Sequence, residues 1–187
     1  GDPMIEGGPY RNFDLGAELW AYVPYNLLPH LKCLTDPNYD HKYFVDMKPR
    51  IFDVQIFTPD ADHPGGWGTI LVGGMRFGGA RISAHDLDMA DNGVDDYGDT
   101  RQFTSAFFIF DVTNPEKAPT LLGEMTFDPA SDTDLGFTTT MPTVVPMKTG
   151  ADTSEWYLVM GSGPTTLDGT STQEAKVAVF RLKNLMT

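Results

Sequence analysis

Two hydrophobic rhythms divide this chain. From Leu15 to Leu34 the apolar residues Leu19, Trp20, Val23, Leu27, Leu28 and Leu31 recur at three- and four-residue spacing, which predicts helix, and Pro24 and Pro29 cut it into two short pieces. Further on the period falls to two, as in Arg50-Ile51-Phe52-Asp53-Val54-Gln55-Ile56, and Gly, Pro and Asp interrupt every few residues. The rest of the chain therefore reads as short strands joined by turns.

Expected strands near Ile51–Phe57, Gly68–Val72, Ala106–Val112 and Thr120–Phe127 form one meander. Others near Met141–Met147, Glu155–Met160 and Lys176–Leu182 form a second that is one strand shorter. The two groups share a landmark. WGTILVGG (Trp67 to Gly74) recurs as WYLVMGSG (Trp156 to Gly163) after 89 residues, each preceded by a proline-led extended run and followed by a second aromatic strand, FFIFDV or VAVFRL. Units of a few short strands cannot bury both faces alone, and stacked sheets of a β-propeller are the common solution. The reading is a mainly β chain, a partial propeller over residues 1–187. It comprises a helical lead-in (1–45), a first blade (46–130) with an acidic insert (80–104), and a second, incomplete blade (135–187). Both tryptophans are expected as blade-core packing groups.

Composition narrows the function classes. The chain has 187 residues, 41% of them hydrophobic, with 19 Gly and 14 Pro, which suits a turn-rich sheet domain. Thirteen basic against twenty-six acidic residues give a net charge of −13, a field that repels nucleic-acid backbones and anionic lipid. Cys33 is the only cysteine, so no internal disulfide and no thiolate zinc cluster can form. No apolar run has the length of a membrane-spanning helix. Gly1-Asp2-Pro3 reads as a cut end, so an excised piece of a longer protein is expected.

The two units differ most in the insert, where DNGVDDYGD places carboxylates at loop positions one, five and nine as Asp91, Asp95 and Asp99. Calcium takes six to eight oxygens, and Gly93 and Gly98 permit the bend that gathers them, although Gly93 stands where a further oxygen is usually supplied. A calcium site at Asp91, Asp95 and Asp99 and a solvated acidic loop are the two readings. Asp60, Asp62 and His63, and likewise Asp128, Asp132 and Asp134, fit self-bonded turns better than metal sites. Ser83, His85 and Asp86 are too close along one strand to make a catalytic triad, and Gly161-Ser162-Gly163 lacks the spacing of a nucleophile elbow. His30 and His41 are expected as hydrogen-bonded surface histidines. No catalytic residue is assigned.

The blocks ELWAYVPYNLLPHLKCL, YDHKYFVD, WGTILVGGMRFGG, FFIFDVTNP, LGFTTTMPTVV and EWYLVMGSG, in this order from Glu18 onward, resemble the PilY/PilC-type tip adhesin family of type IV pili. The resemblance implies a quinoprotein-like β-propeller domain of a secreted, pilus-associated protein. It also implies roles in pilus biogenesis, adhesion and twitching motility, with pilin or minor pilins and a host or surface target as partners. Family members carry a calcium loop with oxygens at positions one, three, five and nine that regulates pilus extension and retraction, and Asp91, Asp95 and Asp99 match three of the four. The rival expectation is a quinoprotein (PQQ-type) dehydrogenase fragment, which shares propeller and tryptophan strands but needs a cofactor pocket assembled from many blades.

Overall fold

The computed structural model describes residues 14–85, 100–125, 135–150 and 154–186. It is mainly β, with three antiparallel sheets. The first sheet has the order β1-β2-β5-β6, from strands Arg50–Gln55, Trp67–Gly74, Phe107–Asp111 and Thr120–Met125. A two-stranded sheet, β3 (Ile82–His85) and β4 (Thr100–Phe103), forms the base of the acidic insert. The second large sheet is β7-β8-β9, from Thr143–Lys148, Ser154–Gly161 and Val177–Arg181. All seven expected strands are present within a few residues, and the β3–β4 hairpin is additional. Pro146 lies in β7, an edge strand among the described residues, which is where a sheet tolerates proline.

The inner faces of the two large sheets share one core. Alternation along β2 buries Ile70 and Val72, and they meet Phe107 and Ile109 of β5, Leu158 and Met160 of β8, and Leu182 at the start of the 3-10 turn Leu182–Met186. That same alternation corrects the reading of Trp67. It leaves β2 on the side opposite Ile70 and Val72 and stays 46% exposed, whereas Trp156 shares the face of Leu158 and Met160 and packs on the core. The sequence repeat is therefore out of structural step by one residue. In the first sheet the position matching Trp156 is Gly68, where a Cβ would stand 2.5 Å from the Phe57 ring, so Phe57 fills the space that an indole takes in the second.

The lead-in is not two helices. A single 3-10 stretch, Tyr25–Thr35, carries Pro29 inside it, whose absent N–H denies an α-helical ladder, and the described residues before Pro24, from 14 onward, are not helical. Trp20 and Tyr22 instead lie on the outer face of the first sheet, Tyr22 edge-on to Phe110 at 4.8 Å and Trp20 tilted against it at 6.1 Å. Glu124 on β6 holds this segment down. Its carboxylate accepts from Tyr22 Oη (2.6 Å), Tyr25 N (2.7 Å), Asn26 N (2.9 Å) and Asn26 Nδ2 (2.8 Å), and it sits where the free N–H groups of the 3-10 stretch begin. Burial and this bond push the Tyr22 hydroxyl well above its ordinary pKa.

Among the described residues no element packs on the outer side of the second large sheet. Val145, Val177 and Val179 stand exposed there beside Tyr157 and the Glu155–Arg181 pair, whereas Trp20 and Tyr22 cover part of the outer face of the first sheet and leave Ile51 exposed. Between the halves, Thr138 is a buried stitch: its Oγ1 accepts from Arg76 N (2.9 Å) and lies 3.0 Å from Ser105 Oγ. Nearby the chain crosses itself closely at Gly163, whose N–H donates to Leu135 O and where a Cβ would lie 2.0 Å from Phe137 O.

Candidate functional site

A cleft of about 490 Å³ opens between the two large sheets. Gln55, Phe57 and Gly65 form one wall, and Trp156, Arg181 and Lys183 form the other. The local sequence explains the first wall. Pro64-Gly65-Gly66 makes a tight turn with Gly65 at φ 65° and Gly66 at φ 79°, conformations that glycine adopts without strain, and Gln55 Nε2 donates to Gly65 O at 2.9 Å. In the second wall, Arg181 Nη2 pairs with Glu155, whose other oxygen accepts the Tyr157 hydroxyl at 2.8 Å. That bond to Glu155 raises the Tyr157 pKa.

Two donors of residues in the second wall have no acceptor among the described residues. Trp156 Nε1 and Arg181 Nε are both buried and unpartnered, in a class of group that nearly always finds a hydrogen bond.

Behind Phe57 lies a charge-locked turn. The His63 ring stacks on Phe57 at 4.1 Å, its Nδ1 is 2.9 Å from Asp60 Oδ1, and its Nε2 is 2.9 Å from Asp111 Oδ2 on β5. Burial pulls the His63 pKa down, but hydrogen bonds and charge from Asp111 and Asp60 outweigh it, and the net shift is upward. Asp60 is lowered, first by the backbone N–H of His63, and Asp62 is lowered by Lys117 and then Asn114. With a carboxylate at each nitrogen, the two acceptors favour the protonated His63 ring, which in that form donates on both sides and has no free lone pair for proton abstraction. The Asp60-Asp62-His63 cluster is thus a self-bonded turn, with Asp60 Oδ1 also accepting the N–H groups of Asp62 and His63.

The candidate calcium ligands Asp91, Asp95 and Asp99 lie outside the described residues, as do Asp86, Asp128, Asp132 and Asp134. Among the described residues no group of three His, Cys, Asp or Glu side chains could hold a metal ion. Ser83 Oγ accepts from Gln102 across β3–β4. His41 stands edge-on to Tyr43, and His30 is half-buried, its Nε2 unpartnered and its pKa lowered chiefly by burial. Sequence reasoning missed Phe57, Asp111, Glu124 and Arg181. Of these, only the Asp in FFIFDV carried a signal, a lone carboxylate ending an apolar strand.

Relatives match most of the chain but only a short part of themselves. A "Type IV pilus biogenesis factor PilY1 homolog" of Xylella fastidiosa (strain Temecula1) is 30% identical over 83% of this chain and 8% of its own length. "Type IV pilus biogenesis factor PilY1" of Pseudomonas aeruginosa is 30% identical in strain UCBPP-PA14 (87% of this chain, 11% of the relative) and 28% identical in strain PAO1 (86% and 11%). The chain thus spans about a tenth of the length of these relatives. No family model matches it, and no solved structure does so significantly. No helix among the described residues is long and apolar enough to cross a membrane.

Proposed function

Because this chain is homologous to a segment of the PilY1-type type IV pilus biogenesis factors, we propose that it is a non-catalytic binding and assembly module of such a factor. The observation that carries this reading is the match over 83% and 87% of the chain to two relatives that are both named for pilus biogenesis. The parent is then an exported, pilus-associated surface protein that engages pilin or minor pilins and, as a tip adhesin, a host or surface target. It contributes to twitching motility.

The architecture fits a role within a larger ring. Two antiparallel sheets with tryptophan-bearing second strands pack around one core, and the outer face of the second sheet offers valines to a further layer. We read the sheets as neighbouring β-propeller blades, with the next blade of the parent covering Val177 and Val179. Calcium at Asp91, Asp95 and Asp99 belongs to the same reading, as a modulator of pilus extension and retraction.

The test is an in-frame deletion of this segment from the parent gene. Surface pili and twitching zones are expected to be lost while pilin is still made. Normal piliation and motility in the deletion strain would defeat the reading. Bound quinone with alcohol-dependent turnover in the purified parent would favour the dehydrogenase instead. Calorimetry with the chain is expected to show calcium binding that Asp95→Ala removes; no heat with the unmutated chain retires the metal.

A further inference from the structure

We propose that the outer edge of β9 pairs with β9 of a second copy of this chain, antiparallel about a two-fold axis at Val179, so that two three-stranded sheets join into one of six strands. The ladder shows which backbone groups are available. Ser162 N donates to Lys176 O at 2.8 Å, in step with the β8–β9 register, so the hydrogen-bonded pairs of this ladder fall at Lys176, Ala178 and Phe180. The N–H and C=O groups of Val177, Val179 and Arg181 therefore point away from β8. Gly161, opposite Val177, agrees: its N–H donates to Thr140 Oγ1 and its C=O accepts from it, on the side away from β9. Among the described residues no strand lies beyond β9, and no hydrogen bond from another element reaches the backbone of Val177 or Val179. The absent neighbour leaves a mark. Phe107 and Ile109 of β5, which has β6 beyond it, are fully buried, whereas their counterparts on the core face of β9, Ala178 and Phe180, are only partly so.

The sequence of β9 fits itself. Of the antiparallel registers that set outward-pointing groups against each other, one overlaps the whole strand: Val179 faces Val179 of the copy, and Val177 faces Arg181. On the core face Ala178 then stands opposite Phe180, small against large, at the non-hydrogen-bonded positions where side chains come closest. On the outer face the two Val179 side chains meet, a β-branched pair suited to a sheet surface. The neighbouring registers fit less well. A shift of two residues one way sets Phe180 against Phe180, and the other way sets Lys176 against Phe180 on the core face, and both shorten the ladder. Charge permits the pairing. Each copy carries a net charge of −13, which opposes approach from a distance, but Arg181 is already matched by Glu155 and lies opposite Val177, so no like charges face each other along the strand. The blade proposed above covers the outer face of Val177 and Val179 and leaves this edge open, so the pairing goes beyond that reading and does not compete with it.

The experiment uses two versions of the intact chain, Val179→Cys and Val177→Cys, each with Cys33→Ser so that no other thiol is present. In this register the two Cα atoms at 179 stand about 5.5 Å apart, within disulfide reach, while the two at 177 are offset by four residues, about 14 Å. Under mild oxidation in about 0.5 M salt, which screens the acidic repulsion, Val179→Cys should form a disulfide-linked dimer at least about tenfold faster than Val177→Cys. Amide exchange in the unmodified chain is the second readout. On concentration, exchange at Val177, Val179 and Arg181 should slow at least about threefold, while exchange at Ala178 and Phe180, bonded to β8 in either state, stays the same. No cross-linking of Val179→Cys, equal rates in the two variants, or exchange at Val179 that ignores concentration each overturns the proposal. Neither readout involves piliation, so failure here leaves the pilus role standing, and loss of that role leaves the pairing intact.

Discussion

Trp67 and Trp156 meet edge to face, ring centroids 5.6 Å apart at 77°, although they leave their strands on opposite sides relative to the shared core. The contact ties the two sheets at one end. It also explains why the indoles recur in the sequence while the buried positions around them do not keep the same spacing. Evenly repeated letters gave way to packing, because Phe57 already occupies the space over Gly68.

That difference predicts unequal substitutions. Trp156→Ala, which empties a core-facing position, should destabilise the chain by about 3 kcal/mol, and Trp67→Ala, half in solvent, by about 1 kcal/mol or less. Urea unfolding followed by far-ultraviolet circular dichroism measures both. Equal losses would mean that the two indoles share one environment.

Glu124→Ala removes the acceptor for two side-chain and two backbone donors at once. A loss of about 2–3 kcal/mol is expected, with residues 14–35 becoming the first site of limited proteolysis. Unchanged cleavage there would show that Trp20 and Tyr22 alone hold the lead-in.

The His63 lock makes stability fall on the alkaline side. Its folded pKa is raised, so its contribution is fully present below the unfolded value of about 6.5 and is lost as pH rises through the folded pKa. Asp60 and Asp62 act in the other direction, their contribution being present above ordinary carboxylate pKa values and lost as pH falls through their lowered ones. Unfolding free energies between pH 5 and pH 9 should decline at the upper end, and His63→Gln should flatten that decline. A parallel slope in the variant assigns it to other groups.

Gly163→Ala and Gly123→Ala form a matched pair. At Gly163 the added methyl would meet the Phe137 carbonyl at 2.0 Å, which backbone movement alone can relieve, and a loss of about 2–3 kcal/mol is expected. At Gly123 in β6 the nearest atom is Leu185 Cδ2 at 3.5 Å, an ordinary contact, so alanine should be neutral or slightly stabilising. Thermal unfolding of both variants checks the contrast.

The strands were legible because alternation and turn residues act over a few positions. FFIFD, buried at four successive residues, and WGTILVGG became β5 and β2 within a residue or two of expectation. The β3–β4 hairpin was not, since Ile82-Ser83-Ala84-His85 and Thr100-Arg101-Gln102-Phe103 carry little apolar signal, and Arg101 settles over the Tyr25 and Phe103 rings only after folding. The lead-in misled for the opposite reason. Its helical spacing is real, but Trp20 and Tyr22 gain more from the Phe108 and Phe110 rings than a proline-interrupted helix would offer. Glu124 was invisible because its Tyr22 partner lies 102 residues away, and the cleft because its walls come from separate sheets.

The outward valines of β9 govern how the chain behaves at the bench. Val177 is 74% and Val179 57% exposed, on β9, which is itself an edge of its sheet among the described residues. Sedimentation should therefore report heavier species as loading rises, with the monomer surviving only at dilution. Replacing Val177 by lysine, which sets a charge on that rim, should keep the sample monodisperse at higher loading.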